Sequence, residues 1–307
     1  MSRLISIDPS AIQSIADLNL IRPFIGQTKS FFLAQTPKNW IQLLETNAAQ
    51  LDQNVQKKLR EFLVKLKDEN SIYRVDYRDK TDDFVKNAIN HLKEDKHLQL
   101  VIANLFINES IKSFADLNDE DLEGPKSFHG QYDTDSIWHF LEIYAKTAGR
   151  LAIVSRHNNL FDAMNRPSRF SKYLRKLVEG VSGSGCHEIV IYTTRDEIKY
   201  SEQISEKNLK ESLAKILQGI KLPTYGVRMI VCDENANFNK TDLHERVIVT
   251  NHVVLRLSDD LGGRTKSQSI SVETDMSVSK KLRLNWFDME HGLSVFLDVT
   301  LKNKVLS

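Results

Sequence analysis

The sequence has only two cysteines, six prolines and twelve glycines among 307 residues. Two cysteines cannot build a disulfide framework, so a reducing compartment is expected. So little proline and glycine excludes collagen-like, mucin-like and linker-dominated chains. No window approaches eighteen uninterrupted apolar residues, so no transmembrane segment is expected. Asp8 and Pro9 fall where a signal peptide needs its apolar region. A cytoplasmic protein is the expectation. Net charge is scarce as well: 42 Lys and Arg against 41 Asp and Glu sum to +1. That balance argues against a histone-like basic protein or an acidic tail, but not against local patches.

What is present is ordinary globular material, 41% hydrophobic and 27% charged, with no repeat at a fixed period. The first 120 residues read as mostly helical. Trp40, Leu43, Leu44 and Leu51 recur at helical spacing over 39–51, and Val55, Leu59, Phe62, Leu63 and Leu66 do so over 54–67. A short strand is expected over 72–77. Thr81 then opens a helix through about Lys93, and the apolar run 98–107 is compatible with strand or helix. An acid-rich run at 116–123 followed by Gly124 and Pro125 marks a boundary, giving domains 1–125 and 126–307.

The second half alternates. Strands are expected at 150–155, 188–193, 227–232, 246–250 and 253–257, with helices over 135–148, 168–179 and 208–217. Near-continuous apolar strands interleaved with helices indicate a mixed sheet covered by helices. The expected class is therefore α/β, a mostly helical N-terminal domain of unassigned role followed by a mixed-sheet domain. Strand-like runs at 282–287 and 293–301 would extend the sheet or mediate association.

Charge is uneven beneath the neutral sum. Between Gly149 and Arg195 there are 8 basic and 3 acidic residues. Arg156, Arg166, Arg169, Lys172, Arg175 and Lys176 all follow the strand at 150–155. A solvated helix face explains isolated lysines, but ligands of open α/β sheets gather beyond the carboxyl ends of the strands, where such a cluster would face phosphate. The glycine-bearing segment 182–186 (SGSGC) follows a helix and opens a strand, the reverse of a phosphate-cradling loop, and reads as a turn with a helix C-cap over 180–185. Cys186 and Cys232 sit at strand positions without metal-ligand spacing, so they read as buried thiols. No motif calls for a metal or a cofactor, and none is expected; Asp233 and Glu234 read as the start of a loop.

The segment 243–251 (LHERVIVTN) carries the remaining chemistry. His244 and Arg246 alternate on a strand and would share a face. An imidazole beside a fixed cation suits a phosphodiester: the histidine can attack phosphorus while the cation stabilises the developing charge. About one His-x-Lys/Arg is expected by chance, so the weight comes from context. The motif opens a strand after an α/β strand and a polar loop, and a hairpin follows it, ending in 258–263 (SDDLGG).

On these residues the stretch 135–270 resembles the phospholipase D-like superfamily, in particular its single-motif bacterial and MIT-C-terminal-type members. The resemblance implies a phospholipase D-like α/β domain over 126–307 with His244 as nucleophile, Arg246 as phosphate clamp, Asn251 in the place of the motif's acid and Ser258 near that of its serine. Arg156, His157 and Arg166 are the expected phosphate-binding neighbours. Asn251 departs from the family pattern, because an amide cannot charge-stabilise an imidazolium as a carboxylate would. A single motif also requires a symmetric homodimer if two histidines are to act together.

Two readings follow. The first is a nucleic-acid-binding phosphodiester protein, in its active form a metal-independent nuclease. The resemblance places such proteins in bacterial phage-defence or mobile-element systems, with DNA or RNA and proteins of the same operon as partners. The second is a catalytically inactive module that serves as an anion-binding or protein-partner scaffold.

Overall fold

A computed structural model describes the chain except residues 1–2, 27–30, 70, 76–80, 82, 96, 123–126, 132–133, 163–165, 196–204, 234–245, 252, 259–260, 262–266, 274–275, 289–291, 293 and 304–307. It has the expected mixed α/β class, with two sheets. The chain divides into two compact units, Met1–Lys126 and Ser127–Ser307. Among the described residues no helix is long and apolar enough to cross a membrane.

The first unit corrects the expectation of a mostly helical domain. Its helices cover a parallel sheet of five strands: β1 (Arg3–Ile7), β2 (Phe31–Gln35), β3 (Ile72–Arg74), β4 (Leu98–Ile102) and β5 (Ile111–Lys112), in the order β3-β2-β1-β4-β5. Helices α1 (Ile15–Ile21), α2 (Trp40–Ala48), α3 (Gln53–Asp68) and α4 (Phe84–Glu94) fall between strands, and the short α5 (Asp119–Leu122) follows β5. Strands β1 and β2 are buried along almost their whole length. Such doubly covered strands show no period-two alternation, which is why RLISI and FFLAQ carry no strand pattern of their own.

Ile5, Ile7, Phe31, Leu33, Leu100 and Ile102 form the sheet side of a core that Leu18, Trp40, Leu44, Leu59, Phe62 and Leu66 complete from α1, α2 and α3. Trp40 is fully buried, and its indole N–H donates to the Ile7 carbonyl at 2.5 Å, so the largest side chain of this core leaves no polar atom unsatisfied.

The second unit is an eight-stranded mixed sheet. Its elements in chain order are β6 (Ser127–Gln131), α6 (Thr134–Thr147), β7 (Arg150–Val154), α7 (Arg169–Val181), β8 (Glu188–Thr194), α8 (Glu206–Ile216), β9 (Gly226–Cys232), β10 (Val247–Thr250), β11 (Val254–Leu257), β12 (Ser267–Val272), α9 (Met276–Phe287) and β13 (Val295–Leu301). The strand order is β13-β9-β8-β7-β10-β11-β12-β6. Strands β7, β8 and β9 are parallel, and every other pairing is antiparallel.

One face of this sheet packs Ala152, Val154, Val190, Tyr192, Ile230 and Val249 against Leu282 and Trp286 of α9. The run 282–287, expected as strand, is thus helical. Leu282 and Trp286, four residues apart, lie on one helix face and both are buried, so the sheet selects the 3.6-residue period. The Tyr192 hydroxyl donates to the Trp286 carbonyl at 2.7 Å, and their rings meet edge to face at 4.9 Å between centroids.

Helix α7 is amphipathic and buries Phe170, Tyr173, Leu174, Leu177, Val178 and Val181. Ser168 caps it by accepting from the Ser171 amide at 3.0 Å. Gly180 lies inside this helix rather than in the expected cap. The positive backbone angle that ends the turn belongs to Gly183, at φ 77°. Gly180 is needed for a different reason: a Cβ there would stand 2.1 Å from Cζ2 of Trp138 on α6.

Candidate functional site

Because β10 runs antiparallel to β7 and β11 antiparallel to β10, three chain positions meet at one end of the sheet. The register pairs Val247 with Val154, which sets Arg246 opposite Ser155 at the carboxyl end of β7. On its other side Arg246 accepts a hydrogen bond through its carbonyl from the Leu257 amide at 2.8 Å, so Ser258 follows at the same edge. The Ser258 hydroxyl accepts from the Ser269 amide at 2.8 Å, which ties the end of β11 to β12.

Arg156 and His157 form the turn that leaves β7. The Arg156 carbonyl accepts from the Thr193 hydroxyl at 3.0 Å, the Thr194 hydroxyl at 3.4 Å and the Thr194 amide at 3.5 Å. The His157 amide donates to the Ser155 hydroxyl at 3.2 Å. Beneath them Asn158 is fully buried and donates to the Tyr192 carbonyl at 2.8 Å and the Ile153 carbonyl at 3.4 Å, spanning β7 and β8. The turn carrying Arg156 is therefore held from two sides. Ser155, Asn158, Thr193 and Thr194 are all buried at this edge, an uncommon density of polar side chains in a sheet core.

The edge continues across β8 and β9. Arg195 follows β8, sits 3.4 Å from the Asp233 carboxylate at the end of β9, and lies over the Phe296 ring at 4.0 Å from its centroid. Phe296 belongs to β13, whose start pairs with the carboxyl end of β9.

The expected site residues separate into three groups. Arg246, Arg156, His157 and Ser258 come to this edge. Arg166 lies in the following loop, where its Nη2 and Nε both lie against Oδ2 of Asp162, at 2.9 and 3.0 Å; its charge is locally matched. Asn251 lies elsewhere. It follows β10 at the opposite end, five residues and so about 17 Å along an extended strand from Arg246. There its side-chain oxygen accepts from the Arg150 amide at 2.7 Å, and its carbonyl accepts from Arg283 at 3.1 Å. His244 lies outside the described residues, as do Glu234 and the Gly262 and Gly263 pair.

Part of the basic cluster serves the fold. Arg175 donates to the Ile216 and Gln218 carbonyls at 2.8 and 3.0 Å and satisfies the end of α8. Lys176 pairs with Asp135 at 2.8 Å, and that hydrogen bond raises its pKa. The two thiols are inert. Burial pushes Cys186 and Cys232 up to about 12, so neither supplies a thiolate near neutral pH.

Thr193, Thr194, Asn158, Arg195 and Phe296 carry no motif. The one available signal was position: Thr193 to Arg195 close a buried apolar strand of a parallel set, where ligands of such sheets gather. Comparison with protein-family models and with curated proteins finds no match.

Proposed function

We propose that the second unit binds phosphodiesters of nucleic acid at the carboxyl edge of β7 and β8, as a module of the phospholipase D-like kind. The observation that supports this reading is the placement of Arg246, just before β10, and Arg156, in the turn after β7, at one edge of the sheet where Ser155, Asn158, Thr193 and Thr194 are buried. Two guanidiniums supply donor forks matched to phosphate oxygens, and the hydrogen bonds to the Arg156 carbonyl fix the backbone beneath one of them.

Asn251 favours holding over cutting. The position that would carry the motif's acid is about 17 Å from Arg246 and is spent on the Arg150 amide, so it cannot orient a histidine at this edge.

The test is gel shift and cleavage of labelled DNA and RNA, with and without EDTA, by wild type, Arg246→Ala, Arg156→Ala and His244→Ala. Binding by wild type, weakened in both arginine variants and without cleavage, is expected. Metal-independent cleavage abolished in His244→Ala would overturn the holding reading in favour of a nuclease. Binding unchanged in both arginine variants would remove the site.

A further inference from the structure

We infer that the first unit carries a docking site for a basic protein segment, at the loop that joins β4 to β5. The inference concerns a different unit from the nucleic-acid reading and does not rest on it.

The loop spans 103–110, between the end of β4 and the start of β5. At its tip Leu105, Phe106 and Ile107 are 50%, 51% and 39% exposed. Single exposed apolar side chains are ordinary on a protein surface, and Val64 and Tyr225 are such cases here. Among the described residues, 105–107 is the only place where three large ones follow one another. A run of that kind costs solubility and adds nothing to the core, so its use lies outside the fold.

The tip is held from both ends. On the entering side the Asn104 side-chain amide donates to the Ser10 hydroxyl at 2.7 Å, and that hydroxyl donates to the Asp8 carboxylate at 2.7 Å, just past β1. On the leaving side the Ile107 amide donates to the Ile111 carbonyl at 2.9 Å. The Asn108 side chain accepts from the Ser110 and Ile111 amides at 2.9 and 3.1 Å. A tip fixed in this way gives up little conformational freedom on binding.

Charge decides what the tip can meet. Residues 103–122 hold five acids and one base. The base, Lys112, is buried and lies 2.7 Å from Asp121 and 3.0 Å from Glu109, which joins the acid-rich segment after β5 to the loop. The Glu109 side chain is 87% exposed, and Asp116 and Glu120 are exposed as well. Nucleic acid and anionic lipid are repelled by such a surface. A second copy would set the same acids against each other across a two-fold axis. The tip also offers only about 250 Å² of apolar surface, against about 800 Å² per partner in a stable interface. A short segment with Lys or Arg beside a bulky apolar residue answers both features: the apolar residue packs on Phe106 and the cations face the carboxylates.

The test is selection of random peptides displayed on phage against the immobilised full chain, with Phe106→Ser as counter-target, followed by fluorescence anisotropy of the enriched peptides over a salt series. The enriched sequences are expected to be basic and to carry a bulky apolar residue. They should bind Phe106→Ser about tenfold more weakly than wild type. Glu109→Gln combined with Glu120→Gln should weaken them about threefold at low salt and flatten the salt dependence. Wild-type melting temperatures in these surface variants exclude a folding defect. Enrichment of neutral or acidic peptides, or of none that prefers wild type to Phe106→Ser, overturns the inference. So does a wild-type dimer in sedimentation velocity that Phe106→Ser dissociates, which gives the tip to a second copy. Binding to phosphatidylcholine vesicles that Phe106→Ser abolishes would equally overturn it, in favour of a membrane surface.

Discussion

Replacing Gly180 by alanine sets two quantified effects against each other. In an unconstrained helix interior, alanine in place of glycine is favourable by up to about 1 kcal/mol. At position 180 the added Cβ meets Cζ2, Cη2 and Cε2 of Trp138 at 2.1, 2.5 and 2.7 Å. Ordinary carbon contacts lie near 3.5 to 4.0 Å, so the indole must retreat by more than 1 Å. Trp138 is only 8% exposed, on α6 packed against α7, and has little free volume to enter. Overpacking of this kind costs about 1–3 kcal/mol, so the net expectation is a loss of about 1–2 kcal/mol. Urea unfolding followed by far-ultraviolet circular dichroism should show a lower midpoint at constant slope for the second unit's transition. In the double variant Gly180→Ala with Trp138→Leu, the two losses should sum to less than their separate values, because the smaller side chain relieves the contact. A midpoint in Gly180→Ala equal to or above wild type would refute the reasoning.

Asn251→Ala removes the acceptor of the Arg150 amide and should cost about 0.5–1.5 kcal/mol of stability. It should leave nucleic-acid affinity unchanged, as read by anisotropy beside chemical denaturation; a loss of affinity without a loss of stability would place Asn251 back in the site. Cys186 and Cys232 should resist a thiol reagent at pH 8 in the folded protein and react fully in denaturant. Their folded pKa of about 12 exceeds the ordinary 9.0, so the stability they contribute is intact below about pH 9 and is lost as pH rises toward 12. A urea midpoint that climbs between pH 9 and 11, or rapid labelling of the folded chain, would contradict this.

How much was legible follows from which patterns survive burial. Strands β7 to β9 are apolar runs that alternate regularly with amphipathic helices, and their place in an α/β sheet is readable. Strands β1 and β2 are as short as β7, but they lie among stronger helical periodicities and are read as part of a helical stretch. The run 282–287 reads as strand but is helical, because a sheet face claims Leu282 and Trp286 together. In the site, the apolar run of β10 is readable and Arg246 immediately precedes it, but sequence distance misled for Asn251. Five residues is a short separation in the chain, yet it spans the whole of that four-residue strand. The contact of Arg195 with Phe296 crosses about a hundred residues and appears only once β9 is known to lie between β8 and β13.

The order of the larger sheet has a consequence for how the second unit is made. Its first strand, β6, and its last, β13, occupy opposite margins, seven strand spacings and about 34 Å apart along the sheet. As the polypeptide emerges from the ribosome, β9 must wait with one side open until β13 is synthesised, and the ring beneath Arg195 arrives with that same last strand. A chain halted near residue 290 would hold both exposed arginine and an open, apolar strand margin, a species prone to associate with itself before it can bind anything. A circular permutation of this unit would likewise need a linker long enough to traverse the whole sheet.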